Sequence, residues 1–423
     1  MTLKNSFCSS PWFHMRINNA GQYEYCRWAE KKLSHQYSIA NTDPDVYFQK
    51  HMAPVRQQMC QGQLPSGCAE CVHMEQHGKV SGRQKQLLKV GVRLEQFEKT
   101  LKSSPWLDEF AGNPKTQQMP QDWQIDLGNY CNSACVFCTP TYSSRIATEQ
   151  LKLGMIQQLP PANWTDSPDL VNRFVNCLQN SAHIQYLHFI GGETLITPAF
   201  KTVLQALIRA GLNRTATIGF TTNLSVWRAD VVELLSQFHS VNLGMSVECF
   251  TPVNDYARWP TTLSVVEENM HRWIQHARQH GWLLQFRTTP TLLTVADLLT
   301  VYDQAWQHKI AIESCNFFNE PAFLRPAVLP TDQRQLIIQR MQQWIGQRRV
   351  EHEEIVNIRN PAVVEQQIVQ DLASYVDYLT HEQDQSWRLP ETVDYLRRIE
   401  SQRGNSVLDY LPDYEQLFRT AGY

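Results

Sequence analysis

Asn129-Tyr130-Cys131-Asn132-Ser133-Ala134-Cys135-Val136-Phe137-Cys138 sets three thiols at x3 and x2 spacing directly after a short apolar run, Gln124 to Asn129. The run reads as a strand, so the cysteines fall on the loop that leaves it. Three thiolates on one loop can wrap an iron-sulfur cube and leave its fourth iron without a protein ligand, open to an amino and carboxylate chelate. A zinc site is the other reading of this spacing, and it requires a fourth Cys or His to close its tetrahedron.

Outward from that loop, short apolar strands alternate with helical patterns. Tyr186 to Ile190, Ala216 to Thr221, Asn242 to Val247, Leu283 to Thr289 and Ala311 to Phe317 bring the number of expected strands to six. Phe200 to Ala210, with Val203, Leu204, Leu207 and Ile208, and Ser264 to His280 read as amphipathic helices between them. A repeated strand-helix unit implies an α/β fold with a parallel sheet. Beyond Pro330 the chain turns helical and polar, including Arg334 to Trp344, Ala362 to Tyr378 and Thr392 to Glu400. Upstream, Leu87, Leu94, Phe97 and Leu101 recur at helical spacing from Gln84 to Lys102, and Ser103-Ser104-Pro105 ends the run. A linker through Gly112, Pro114 and Pro120 follows. Residues 1–83 read as short strands and turns, too poor in apolar pattern to be held by burial alone, so cross-links or a metal are expected there. The domain reading is therefore 1–83, 84–120, 121–330 and a C-terminal helical region, 331–423.

With 423 residues the chain can bury a sizeable core. Its 38 Lys plus Arg against 41 Asp plus Glu give a formal charge of -3, and no nucleic-acid partner is expected. No apolar run approaches the length that spans a bilayer and no signal-like stretch opens the chain, so no membrane partner and a cytoplasmic location are expected. Eleven cysteines would be kept reduced there, and their clustering points to metal chemistry over disulfides. The fourteen histidines are scattered without metal spacing, and no GxxxxGK[ST] phosphate loop is present.

The cysteine triplet, with Phe137 before its last member, resembles the signature of the radical S-adenosylmethionine superfamily. That resemblance implies a partial (β/α)6 TIM-like barrel whose cluster loop follows the first strand. A second matching feature is Gly191-Gly192-Glu193 after the strand ending at Ile190, where the glycines would let a backbone approach the cofactor's methionine amino group. Thr222 and Asn223, at the third strand's end, stand where the family often places polar groups near the ribose. Ser246-Val247-Glu248 and the later Arg258 resemble a Ser-x-Asp segment and an Arg that help hold the cofactor, with Glu248 replacing the more usual Asp. The implied cofactors are S-adenosyl-L-methionine and a [4Fe-4S] cluster on Cys131, Cys135 and Cys138. A flavodoxin-type or ferredoxin-type protein is the implied electron donor.

Cys8-x12-Gly21-x4-Cys26, followed by Cys68-Ala69-Glu70-Cys71, resembles the half-size SPASM relative called a twitch domain. The resemblance extends through Pro11-Trp12 and the stretch Glu75 to Arg83, and it implies an auxiliary [4Fe-4S] cluster on Cys8, Cys26, Cys68 and Cys71. Most relatives carry this domain after the barrel, whereas here it precedes. A zinc ribbon of the same four cysteines is the alternative, and Cys60 is the ambiguity in ligand choice.

Alternation places Gln285, Arg287 and Thr289 on one face of the fifth strand, where substrate contacts are expected. Arg287 needs an anion there, from the cofactor, a substrate carboxylate, or a salt bridge with Glu248 or Glu313. Cys177, Cys249 and Cys315 are isolated and read as small core residues, although Cys249 and Cys315, near strand ends, could donate a hydrogen atom to a radical. The implied reaction is reductive cleavage of the cofactor to a 5'-deoxyadenosyl radical that takes hydrogen from a substrate. That substrate is expected to be a peptide or protein residue; a small-molecule dehydrogenase or epimerase, and a zinc-stabilised binding protein without turnover, are the competing readings.

Overall fold

His14–Ile17 (β1) and Tyr23–Glu24 (β2) form a short antiparallel pair, and β1 then pairs parallel with Asp122–Asp126 (β3), His14 opposite Asp122 and Ile17 opposite Ile125. Tyr186–Ile190 (β4) and Thr217–Thr222 (β5) continue in parallel. Ser240–Ser246 (β6), Leu283–Thr288 (β7) and Ala311–Cys315 (β8) pair in parallel in turn. The strand order is β2-β1-β3-β4-β5-β6-β7-β8, a mostly parallel eight-stranded sheet in an α/β fold. This computed structural model describes residues 7–26, 36–78, 80–89, 119–179, 181, 184–348 and 361–423. They fall into two compact units, the first drawn from residues 1–128, 161–220 and 230–241, the second from 129–160, 221–229 and 242–423.

In the first unit, the helix Pro198–Arg209 buries Ala199, Phe200, Val203, Leu204, Ala206 and Leu207, the one-sided stripe that its i, i+3, i+4 spacing dictates. Phe200 sits between Phe189 of β4 and Phe220 of β5, at centroid distances of 5.2 and 5.6 Å. Burying such a side chain is worth about 2–3 kcal/mol. The pairing of β1 with β3 is the departure from the sequence reading, which expected short strands within residues 1–83 but placed them outside the six-stranded sheet. All four residues of β1 are buried, and Arg16 pairs with both Asp126 and Glu24 (2.6 Å to the latter), so an internal ion triad joins the N-terminal hairpin to β3.

The N-terminal region is also more helical than expected, with Ala53–Cys60, Ala69–Gln76 and Gly82–Lys89. Polar residues dilute the apolar stripe of Ala53–Cys60 to Val55 and Met59. Its buried Arg56 supplies what the stripe lacks, donating to the Pro11 carbonyl at 2.7 Å and the Phe48 carbonyl at 2.5 Å. The helix Gln84 to Lys102 is present through Lys89; its remainder and the linker through Gly112 and Pro114 lie outside the described residues.

In the second unit, Leu263–His280 ends at Gly281, whose φ of 66° suits a residue without Cβ. The helices Thr331–Gly346, Pro361–His381 and Leu389–Arg403 follow β8, and Phe317 stacks on Tyr378 with centroids 4.1 Å apart. No helix among the described residues is long and apolar enough to cross a membrane.

Candidate active site

The Cys131–Cys138 loop is held chiefly through its backbone. Ser143 caps the helix Ser144–Lys152 by accepting from Ile146 N and donates its hydroxyl to the Ser133 carbonyl. Ser144 N donates to Asn129 O at 2.7 Å, and Cys131 N donates to the Ser144 hydroxyl at 3.3 Å. On the other side, Ala134 N donates to Trp259 O and Val136 N to Ala257 O, at 2.7 and 2.8 Å. The Asn223 amide donates to Asn132 Oδ1 and Ser133 Oγ, both at 3.0 Å, and the Asn132 amide donates to Ser225 Oγ. Ser133 Oγ also meets Thr261 Oγ1 at 3.0 Å. Asn223 thus braces the loop, while the Thr222 hydroxyl accepts from Leu224 N.

Cys135 is buried, and Cys131 and Cys138 are half-buried. Burial pushes the Cys135 thiol up, opposed by the Arg258 guanidinium. Burial also pushes the Cys138 thiol up, reinforced by the neighbouring thiols of Cys135 and Cys131. Arg258 Nη1 lies 4.0 Å from Cys135 Sγ, and its guanidinium carbon stands 5.6 Å from the Phe137 ring centre. Burial lowers the Arg258 pKa, but the charge and hydrogen bond of Glu248 together with the neighbouring thiols Cys135 and Cys131 outweigh it and hold the guanidinium ionised.

Glu248 is wholly buried. One carboxylate oxygen accepts from Arg258 Nε at 3.1 Å and Nη2 at 2.5 Å, the other from Thr288 Oγ1 at 3.1 Å and Thr289 N at 2.6 Å. Glu248 therefore acts here as the internal counter-ion of Arg258. Ser246, half-buried at the end of β6, pairs in register with Arg287 of β7. Arg287 finds its anion in Glu313, with Nε to Oε2 at 2.6 Å, and lies across Gly244, where a Cβ would stand 2.6 Å from Nε.

In the first unit, Gly191 has φ 145°, and a Cβ there would meet the Gly128 carbonyl oxygen at 2.4 Å. Gly192 N donates to that same oxygen at 2.9 Å. Glu193 is buried, and its carboxylate accepts from Leu195 N. Gly191 is thus required by close backbone approach to Gly128, just after β3.

The four N-terminal cysteines also belong to the first unit. Arg83 ties their two segments together, donating to the Phe7 carbonyl at 3.0 Å and pairing with Glu75. Burial raises the Cys68 thiol, and the thiols of Cys8, Cys26 and Cys71 raise it further, so the four lie within electrostatic reach of one another. Burial likewise raises Cys8 and Cys71. Cys60 is raised by burial alone. Burial pushes Cys249 up to about 12, and its sulfur accepts from Thr251 Oγ1; Cys315 is buried at the end of β8. Cys177 lies on the helix Pro168–Gln179, where burial pushes it up to about 12. None of the eleven cysteines is in a disulfide.

Sequence reading missed Asn132, Ser133, Ser225 and Thr261 as a polar brace, and Arg403 and Tyr395 as loop contacts. The first four carry no motif beyond their nearness to Cys131 and Asn223. Arg403 and Tyr395 are more than 250 positions from the loop they touch.

Residues 125–289 match the family described as the Radical SAM superfamily, a span that takes in the cysteine loop, Gly191-Gly192-Glu193, Ser246, Glu248 and Arg258. No curated protein matches the chain. Among solved structures the chain is similar to Streptococcus suis SuiB bound to S-adenosylmethionine, with 15% identity and a TM-score of 0.37 over 64% of this chain and 61% of that one. It is similar to SuiB bound to precursor peptide SuiA, with 12% identity and a TM-score of 0.37 over 66% and 60%. Native anSMEcpe with bound AdoMet gives 15% identity and a TM-score of 0.37 over 54% and 62%. The chain spans about three fifths of the length of these structures. The cysteine triplet that follows β3 and the glycine pair that follows β4 both lie within the span that matches the Radical SAM superfamily.

Proposed function

We propose that the chain is a radical S-adenosylmethionine enzyme in which Cys131, Cys135 and Cys138 hold a [4Fe-4S] cluster, and that its substrate is a residue of a peptide or protein. The observation that carries this reading is the loop itself, three cysteines on a backbone held by Ser143, Ser144 and Asn223, with Cys135 buried beside Arg258. Thiols so placed become thiolates against the positive charge of a metal core. Three cysteines on one loop favour a cube with one open iron over a structural zinc, which needs a fourth Cys or His to close its tetrahedron.

When bound, the cluster and the cofactor supply the electron and the carbon radical that takes hydrogen from the substrate. The chain's own residues hold and orient. Arg258, fixed by Glu248, keeps a cation against Cys135, and Asn223 and Ser143 fix the loop backbone. By resemblance, Gly191 and Gly192 are assigned to the cofactor's amino group, and Thr222 and Ser246, polar groups at the ends of β5 and β6, to its ribose. In the same reading Cys8, Cys26, Cys68 and Cys71 hold an auxiliary [4Fe-4S] cluster of a twitch-like region. Their mutual electrostatic coupling, with Cys60 left out, supports that set. A flavodoxin-type or ferredoxin-type protein delivers the electron. The combination of an auxiliary site with a radical domain is what points to peptide modification. The charged face of β7, with Gln285 and the Arg287 to Glu313 pair, supports a small polar substrate as the second reading.

The test is anaerobic reconstitution with iron and sulfide, followed by incubation with S-adenosylmethionine and dithionite. Iron-loaded protein that forms 5'-deoxyadenosine upholds the reading. Stoichiometric zinc without 5'-deoxyadenosine overturns it. Co-expression with any short reading frame beside the gene then separates the substrates: a changed intact peptide mass favours the peptide, and an unchanged one favours the small molecule.

A further inference from the structure

The helix Leu389–Arg403 lies outside the matched span 125–289, yet it reaches the cysteine loop at two adjacent points. The hydroxyl of Tyr395 donates to the Val136 carbonyl at 2.7 Å. Arg403 Nη2 donates to the Ala134 carbonyl at 2.8 Å. Both side chains are buried. Arg403 is fixed in turn by Glu149, with Nε to Oε1 at 2.7 Å and Nη2 to Oε2 at 2.6 Å, and its guanidinium carbon stands 5.2 Å from the Trp259 ring centre. Its remaining nitrogen, Nη1, is buried without a hydrogen-bond partner among the described residues.

These contacts complete a pattern. The N–H groups of Ala134 and Val136 are taken by Trp259 O and Ala257 O, and their carbonyls by Arg403 and Tyr395. The residue between them is Cys135. Further round the loop, the carbonyls of Asn132 and Ser133 are taken by Arg145 and Ser143, and that of Cys135 by Cys138 N at 2.9 Å. Every carbonyl from Asn132 to Val136 therefore has a donor. Two of the five donors come from one C-terminal helix. A loop whose backbone is saturated in this way keeps its ligand geometry through those bonds.

We infer that Leu389–Arg403 is a structural part of the cluster site, with Arg403 and Tyr395 as positioning residues that lock Cys135 in place through the Ala134 and Val136 carbonyls. The inference rests on the proposed cluster for its purpose, though the lock is a property of the protein alone. Arg403 also brings a second positive charge towards Cys135, beside that of Arg258.

The experiment is hydrogen exchange on the full chain, read at the amides of 132–138, for Tyr395→Phe, Arg403→Gln and Arg403→Lys, with Ile399→Val as a control that trims the same helix face and removes no hydrogen bond to the loop. Loss of one hydrogen bond is expected to speed exchange about five-fold in Tyr395→Phe and more than tenfold in Arg403→Gln. Ile399→Val is expected to leave those amides unchanged. In reconstituted protein, iron release to a chelator is expected to accelerate in the same order. Arg403→Lys, which keeps the charge but cannot reach both Glu149 and Ala134, is expected to exchange fast while keeping the wild-type reduction potential more closely than Arg403→Gln does. Loop exchange equal to wild type in both Tyr395→Phe and Arg403→Gln, or equally raised by Ile399→Val, overturns the inference. Failure of the cluster reading shows separately, as wild-type protein whose iron content is unchanged by Cys131→Ala, Cys135→Ala and Cys138→Ala together.

Discussion

Removing the Glu248 carboxylate tests the charge arrangement at its centre. Glu248→Ala deletes four accepted hydrogen bonds at once, two from Arg258 and one each from Thr288 and Thr289, at a position with no solvent exposure. Breaking a buried ion pair by removing one partner costs about 3–5 kcal/mol, because the other charge stays buried without compensation. The orphaned Thr289 N–H adds about 1–3 kcal/mol unless water enters. A total near about 5 kcal/mol lowers a urea midpoint by roughly 2 M at a slope of 2–3 kcal/mol per M. The assay is urea unfolding followed by far-UV circular dichroism and tryptophan fluorescence, with Glu248→Ala compared against Glu248→Leu/Arg258→Met. The double variant, which removes both charges and leaves apolar groups, is expected to be more stable than Glu248→Ala. A midpoint for Glu248→Ala within about 0.3 M of wild type would refute the internal counter-ion role. So would a double variant weaker than the single one.

Three further outcomes are expected. Gly191→Ala drives a Cβ to 2.4 Å from the Gly128 carbonyl at a φ that L residues rarely adopt, so it is expected to destabilise the first unit by several kcal/mol; calorimetry on the full chain reads the loss, and a near-wild-type transition would contradict it. Cys68→Ala/Cys71→Ala is expected to lower reconstituted iron by about half and to destabilise the fold, because metal binding couples to folding; unchanged iron by colorimetric assay would remove the auxiliary site from the proposal. Arg287→Met leaves Glu313 without its partner on a partly exposed face, where ion pairs contribute about 0–1 kcal/mol, so stability is expected to hold. Substrate turnover is expected to fall in that variant if β7 faces the substrate, and equal turnover would remove Arg287 from the substrate contacts.

The strands from β3 to β8 were legible because each is a short apolar run bounded by turn chemistry, and Tyr186 to Ile190 matches β4 residue for residue. Their ends were less so: Gln124 to Asn129 is two to three residues late against Asp122–Asp126, because Trp123 lies behind a charged Asp122 that the pattern discounts. The place of β1 in the main sheet was not legible. His14-Met15-Arg16-Ile17 carries a charged Arg16 in its middle, and the ion pairs of Arg16 with Glu24 and with Asp126, the latter formed across 110 positions, compensate its burial. The cysteine loop was legible from spacing, whereas the residues that fix it were not. Glu248 looks like a ligand-facing acid in sequence, and it takes the geometry to show that Arg258, Thr288 and Thr289 occupy both its oxygens. Arg403 meets Ala134 across 269 positions, a distance at which no local pattern carries a signal.

The central claim is that the three cysteines of one loop hold a redox-active cluster that acts on S-adenosylmethionine. Its most direct test is 5'-deoxyadenosine released by anaerobically reconstituted protein under dithionite, measured by liquid chromatography and mass spectrometry beside metal content. Wild-type protein is expected to carry iron and sulfide and to form 5'-deoxyadenosine, and Cys135→Ala to form none; zinc-loaded wild type that forms none, or a Cys135→Ala variant that forms as much as wild type, would contradict the claim.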